Sequence, residues 1–217
     1  MTWFIDENVF SHPFNCIIAA PTMGGKTFLI KEILKYKDIL ILPSPTKIVY
    51  CYKAWQPSYN EIKSNNSSII FYEGIYDLQK FKSSENNLII LDDLMKECTN
   101  DPEILSLFTV GTHHTNTSVF FLTQNIFSKG KFSRDLSLNS NYIINFKNPR
   151  DQLQMQVLAR QMFGNKSKYL LESYEDATKN PYGYLFLDLR QETELKNRVQ
   201  TAILPYQKRI IYTKKIV

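Results

Sequence analysis

A chain of 217 residues, 43% hydrophobic and 22% charged, is long enough to bury a full core and is expected to fold as one domain spanning 1–217. No apolar run approaches the ~20 residues of a spanning helix, which argues against a membrane protein, and the start MTWFIDENVF lacks the basic opening and long apolar centre of a secretory leader. Three widely spaced cysteines, Cys16, Cys51 and Cys98, predict reduced thiols, an intracellular protein and no zinc site, and the net charge of +5 is compatible with a nucleic-acid partner.

Residues 1–13 read as an extended lead-in whose Trp3, Phe4 and Phe10 are expected to pack at the edge of the first strand, the alternative being a cover over a nucleotide base. The stretch FNCIIAAPTMGGKT (14–27) then predicts a buried strand over Cys16–Ala19, a turn over 20–25 and a helix from Lys26. A helix start aims unpaired N–H groups and a positive dipole end at an anion. On this pattern Thr22, Met23, Gly24, Gly25, Lys26, Thr27 and Phe28 are the candidate contacts for ATP. Lys26 would reach the β and γ phosphates, and Thr27 would offer its hydroxyl to Mg²⁺. Ala20 stands where the pattern asks for its first glycine. If the backbone there has a negative φ, alanine costs nothing. The plainer reading is a strand, a proline turn and a glycine-flanked helix start with no ligand.

Leu29, Ile30, Ile33 and Leu34 recur at helical spacing, so the helix should run to about Lys37 with one apolar stripe toward a sheet. DILILP (38–43) predicts a second buried strand, completing a right-handed βαβ unit. Residues 44–66 mix prolines, lysines and the aromatics Tyr50, Tyr52, Trp55 and Tyr59. They read either as a loop with its own hydrophobic anchor or as a surface that tracks a nucleic-acid backbone. Asn66–Ser68 should turn the chain into a strand at IIFYEG.

NNLIILDDL (86–94) carries a buried strand into two consecutive carboxylates, 66 residues beyond Lys26. Asp92 is placed to hold Mg²⁺ and Asp93 to polarise an attacking water; the alternative is an aspartate pair capping the next helix. SVFFLTQN (118–125) is another apolar strand ending in Gln124, an amide suited to contact a γ-phosphate and the attacking water together. The preceding His113 and His114 are too few for a metal site and read as a surface turn or subunit contact.

YIINF predicts a further strand ended by Pro149. Residues 151–163 set Leu153, Val157, Leu158 and Met162 on one helical stripe, and 167–178 repeat the pattern with Leu170, Leu171, Tyr174 and Ala177. Asn180, Pro181 and Gly183 form a turn before the strand YLFLDL (184–189). The tail 205–217 carries Lys208, Arg209, Lys214 and Lys215, either as a solvated edge strand or as a basic face toward DNA or a capsid.

The ordered set of the GGKT loop, LDDL, HHTNTSVFFLTQNIF, LNSNYIINFKNPRD and LLESYEDATKNPYGYLFLDL resembles the genome-packaging ATPases of the FtsK/HerA superfamily. The resemblance is to the poxvirus-like type of Polinton/Maverick elements, adintoviruses and related double-stranded DNA viruses, and it covers roughly 12–205. It implies an α/β P-loop NTPase of RecA-like, mainly parallel, twisted sheet flanked by helices. It also implies a homo-oligomeric ring that uses ATP and Mg²⁺ to drive double-stranded DNA into a capsid through a portal or capsid vertex, inside the infected or element-bearing host cell, in the nucleus or a cytoplasmic virus factory, and on occasion with the virion. Lys26 and Thr27 then match the loop lysine and hydroxyl, Asp92 the magnesium aspartate, Asp93 the catalytic acid and Gln124 the sensor. Many relatives carry Glu where Asp93 stands, one methylene longer. Motors of this type take a positive charge from the adjoining subunit. Arg150 in NFKNPRD is the first candidate and Arg134 the second, ahead of Arg160, each with the alternative of pairing Asp151 or Asp135 at the surface. A nucleotide or small-molecule kinase and a non-hydrolysing scaffold are the other readings of the same cradle.

Overall fold

The computed structural model describes residues 9–111, 114–127 and 129–214. Strands β1 (Phe10–Ser11) and β2 (Asn15–Ala19) lead into helix α1 (Lys26–Lys35), a short α2 (Lys37–Leu40) and strand β3 (Ile41–Leu42). Then come β4 (Lys47–Tyr52), α3 (Ser58–Asn65), β5 (Ile70–Glu73), β6 (Asn87–Asp92), α4 (Met95–Cys98), α5 (Pro102–Ser106) and β7 (Thr117–Thr123). The chain finishes with α6 (Ser133–Leu138), β8 (Tyr142–Phe146), α7 (Leu153–Phe163), α8 (Lys168–Ala177), β9 (Tyr184–Asp188), β10 (Val199–Thr201) and β11 (Ile210–Ile211).

Nine of these strands form one sheet in the order β11-β10-β9-β8-β2-β7-β6-β4-β5. The six from β8 to β5 run parallel, and β9, β10 and β11 extend the sheet antiparallel. Parallel strands are covered on both faces, which is why β2, β6, β7 and β8 are buried at every residue and read as unbroken apolar runs. Alternation splits them between two cores. Cys16 and Ile18 join Leu29, Ile30 and Ile33 of α1 and Tyr59 and Ile62 of α3. Ile17 and Ala19 join Ile104, Leu136, Leu158 and Leu170 from the helices on the opposite face. The result is helix, sheet and helix in three layers.

Several expectations are corrected. DILILP is not a strand of the main sheet. Lys37–Leu40 is helical, and Ile41–Leu42 pairs in parallel with Phe10–Ser11 in a separate two-stranded sheet. The parallel neighbours of β2 are β7 and β8, so the expected strand-helix-strand unit over 16–43 is not formed. A short apolar run carries no period of its own and suits either element. The strand missing from that reading is KIVYCY, inside the stretch expected to be a loop. It lies between β6 and β5 with Ile48–Cys51 buried. Tyr50 and Tyr59 are fully buried, which removes them as stacking platforms for bases.

Phe10 of the lead-in reaches the core, not its edge. Phe10 stacks on Phe14 with centroids 5.0 Å apart and meets Phe120, Tyr142 and Phe186 edge-on. Trp3 and Phe4 lie outside the described residues, as do His113 and Lys215. On α7 the buried face is Met155, Leu158 and Ala159, while Leu153 is 65% exposed and Val157 36%, so the expected stripe is rotated. The tail does supply an edge strand, β11, which among the described residues pairs only with β10. Cys16, Cys51 and Cys98 are buried and free, and burial pushes the Cys51 thiol up to about 11. No helix among the described residues is long and apolar enough to cross a membrane.

Candidate functional site

The carboxyl ends of β2, β6 and β7 lie side by side, with Ala19 opposite Thr123 and Asp92 opposite Leu122. Loops leaving that edge enclose a cavity of 790 Å³. All seven loop residues Thr22–Phe28 line it, together with Asp92, Asp93 and Gln124. Chain order separates these groups by up to a hundred residues; parallel strand order brings them together.

The loop keeps its shape through its backbone. Ala20 N–H donates to Thr123 O at 3.1 Å, tying the loop to β7, and Gly24 N–H donates to Pro21 O at 2.9 Å. A Cβ on Gly24 would fall 2.8 Å from Pro21 O and 2.9 Å from the Ala20 Cβ, so the first position of the glycine pair has no room for a side chain. Gly25 sits at φ +102°, and Met23 at φ 61°. Ala20 is not among the residues of positive φ, so the alanine is unstrained and needs no glycine there. Gly25 precedes α1 with no side-chain cap, and the first turn holds no acidic residue. No local carboxylate competes for the N–H groups and dipole end of this helix.

Lys26 Nζ donates to Ala20 O at 2.7 Å and to Pro21 O at 3.2 Å. Burial lowers its pKa, opposed by the nearby charges of Asp92 and Asp93. Asp92 is 3% exposed and accepts two hydrogen bonds at one oxygen, Oδ2, from Tyr50 Oη at 2.7 Å and Tyr59 Oη at 3.0 Å. Burial raises the Asp92 pKa; the two phenols and the Lys26 charge oppose the rise. Asp93 is exposed on the cavity wall at φ 57°, a left-handed conformation that aspartate tolerates better than most residues. Neither aspartate caps α4, whose cap is Leu94 with no side-chain bond.

Thr27 and Asp92 present hard oxygen donors to the same space. No group of three His, Cys, Asp or Glu side chains able to hold a metal exists among the described residues. One hydroxyl and one carboxylate are a donor set suited to Mg²⁺, which keeps its waters and takes its remaining oxygens from phosphates.

Gln124 follows β7 at the cavity wall, exposed. Behind it Thr123 Oγ1 donates to Asn125 O at 3.0 Å, and Gln154 of α7 donates to Asn125 Oδ1 at 3.0 Å. Arg150 and Arg134 are exposed and lie outside this cavity. Neither forms an ion pair with Asp151 or Asp135 among the described residues, and Asp151 accepts from Gln154 instead. His114 is exposed.

Sequence reasoning missed Gln56, Met95, Leu122, Thr123 and Tyr182, which also line the cavity. Tyr182 is 68% exposed at φ 60° and approaches the loop from the turn after α8. Its position in NPYGY marks a turn, but nothing in the sequence connects that turn to Gly25.

No protein-family model and no curated protein matches this sequence. Solved structures do. The genome packaging NTPase B204 of Sulfolobus turreted icosahedral virus 2, in complex with ATP-gammaS, superposes with a TM-score of 0.51 at 13% identity, covering 93% of this chain and 97% of that one. The cytoplasmic domain of the Thermomonospora curvata type VII secretion ATPase EccC gives 0.53 at 12% identity, covering 87% of this chain and a quarter (25%) of that one. The fold is that of the P-loop NTPases, with a RecA-like sheet.

Proposed function

We propose that this chain is an ATPase that translocates double-stranded DNA and packages a viral or virus-like genome into a capsid. The observation that carries this reading is the meeting of Lys26, Thr27, Asp92, Asp93 and Gln124 in one cavity at the ends of adjacent parallel strands. The likeness in fold and in length to B204, described as a genome packaging NTPase, supports the choice of task.

The loop N–H groups and Lys26 bind and neutralise the phosphates of ATP. Lys26 trades its contacts with Ala20 O and Pro21 O for phosphate oxygens, which a flexible four-carbon stem permits. Thr27 and Asp92 would hold Mg²⁺, which when bound would supply positive charge to stabilise the transferring phosphoryl group. Asp93 accepts a proton from the attacking water, and its exposure leaves it free to move toward that water. Gln124 contacts the γ-phosphate and passes its loss to the loop that follows. Arg150, or failing it Arg134, projects from the surface toward the site of an adjoining copy in a ring. In this reading the partners are DNA and a portal or capsid vertex within the infected cell.

The test is ATP turnover by purified protein with and without double-stranded DNA, alongside its mass in solution. Stimulation by DNA in a ring-sized assembly is expected. Phosphate transfer to a small acceptor would replace this reading with a kinase, and binding without turnover would replace it with a scaffold. A monomer with full DNA-stimulated activity would remove the ring and the arginine supplied in trans.

A further inference from the structure

Asp92 is held from behind. Tyr50 reaches it from β4, the strand paired with β6, and Tyr59 from α3, which packs on the same face. Both phenols donate to Oδ2, and no hydrogen bond to Oδ1 occurs among the described residues. The rings are themselves fixed: Tyr50 stacks on Phe71 at 5.2 Å, Tyr50 and Tyr59 lie 5.0 Å apart, and Trp55 meets Tyr59 edge-on at 5.6 Å. Two donors from two elements tie down Oδ2, which leaves Oδ1 for the cavity that Asp92 lines.

The choice of donor matters. A buried carboxylate needs hydrogen bonds, and an arginine or lysine at this distance would supply them while cancelling the charge. Phenols supply them and leave the full negative charge for a cation on the other side. Resting on the nucleotide-site reading above, we infer that Tyr50 and Tyr59 are positioning residues for the divalent cation of the bound nucleotide. They turn Asp92 into a one-oxygen acceptor aimed at the cation, or at its water shell. Neither tyrosine touches the reacting atoms.

The test is binding of a fluorescent ATP analogue to the full chain in EDTA and across a Mg²⁺ titration, for Tyr50→Phe, Tyr59→Phe, the double variant and Tyr52→Phe. Tyr52 belongs to the same aromatic group but makes no hydrogen bond to Asp92, so it controls for packing. The single Tyr50 and Tyr59 variants should keep wild-type affinity in EDTA and need about threefold to tenfold more Mg²⁺ for half-saturation, a part of the worth of one hydrogen bond to a charged group. The double variant should need more again, and Tyr52→Phe should titrate as wild type. If Tyr50→Phe fails to fold, Tyr59→Phe decides alone, because it removes the longer of the two bonds. Melting temperatures that fall while the Mg²⁺ titration stays unchanged would show that the tyrosines only stabilise the buried aspartate, and would overturn the inference. Wild-type protein with no Mg²⁺ enhancement at all would instead sink the nucleotide-site reading beneath it.

Discussion

Gln154, on the first turn of α7, joins the loop after β7 to the turn that carries Arg150. Its Nε2 donates to Asn125 Oδ1 at 3.0 Å, its Oε1 accepts from the buried Ile126 N–H at 2.7 Å, and it also donates to Asp151. Asn148 Oδ1 in turn accepts from Arg150 N–H at 3.2 Å. Gln124, beside the cavity, is thus one residue from a network that ends at the arginine turn. Gln154→Ala strands the Ile126 N–H and should cost about 1–3 kcal/mol of stability. At roughly 2–4 °C per kcal/mol for a domain of this size, the melting temperature should fall by several degrees. Nucleotide affinity should hold while DNA-stimulated turnover drops further than basal turnover. Equal loss of both would reduce the network to a structural tie.

The strands that build the site were legible because parallel, doubly covered strands must be apolar throughout and must end where the chain meets solvent. NCIIA, NLIILD, TSVFFLT and YIINF are such runs, and each is the strand it reads as. KIVYCY was not legible because a lysine, two tyrosines and flanking prolines disguise an equally buried strand. The hydroxyl of its Tyr50 has a reason that lies 42 residues away, at Asp92, which Tyr59 of α3 also reaches. Tyr182 was hidden in the same way, its partner being Gly25. Leu153 and Val157 misled by fitting a helical stripe that the fold turns outward. Local patterns report which residues a strand buries; they do not report which side chains meet across a sheet.

Gly25 and Ala20, the two ends of the loop pattern, are predicted not to tolerate exchange of their residue types. At Gly25 a Cβ would lie 3.2 Å from Phe146 Cε1 and 3.3 Å from Tyr182 Cδ1, on a backbone at φ +102°. Gly25→Ala should therefore cost about 1–2 kcal/mol from the left-handed conformation alone. It should weaken nucleotide binding in a titration by tenfold or more as the helix start shifts. Ala20→Gly, which restores the pattern glycine, should do the reverse of what the pattern suggests. Ala20 is buried and not at positive φ, so the change adds chain entropy and should lower stability by about 0.5–1 kcal/mol with no gain in affinity. Tighter binding by Ala20→Gly would show that the alanine does strain the cradle.

His12 gives a pH dependence whose sign follows from its partners. Asn116 Nδ2 donates to Glu85 O and Asn86 Oδ1, which leaves Asn116 Oδ1 to accept from His12 Nε2 at 3.1 Å. His12 Nδ1 is then the acceptor of the Ser118 hydroxyl at 2.6 Å, an arrangement that suits the neutral ring. Burial lowers the His12 pKa, with the Asn116 contacts opposing. The unfolded chain, with a pKa of about 6.5, binds the proton more readily than the folded one, so stability is present above that value and lost as pH falls below it. Urea denaturation should show wild-type protein losing stability between pH 7.5 and 5.5. His12→Asn should be less stable at pH 7.5 but lose less over the same interval. Parallel losses in the two proteins would assign the dependence elsewhere.

Lys26→Ala and Asp93→Asn should fail differently. Lys26 is half-buried beside two carboxylates, and its ammonium already serves loop carbonyls. Removing it takes away the positive charge that interacts with Asp92 and Asp93, so the triphosphate meets an uncompensated negative wall and binding should be lost with turnover. Asp93 is exposed and takes no part in holding the loop, so Asp93→Asn should leave binding of a fluorescent nucleotide within about threefold, a difference of less than one ordinary hydrogen bond. Its hydrolysis should fall by the 10²–10⁴-fold typical of a lost general base. Asp93→Glu separates position from chemistry: partial turnover is expected, because the carboxylate survives and only its reach changes. Hydrolysis at wild-type rate by both Lys26→Ala and Asp93→Asn would remove the site assignment, whereas full activity in Asp93→Asn alone would move the base to another group on the same cavity wall.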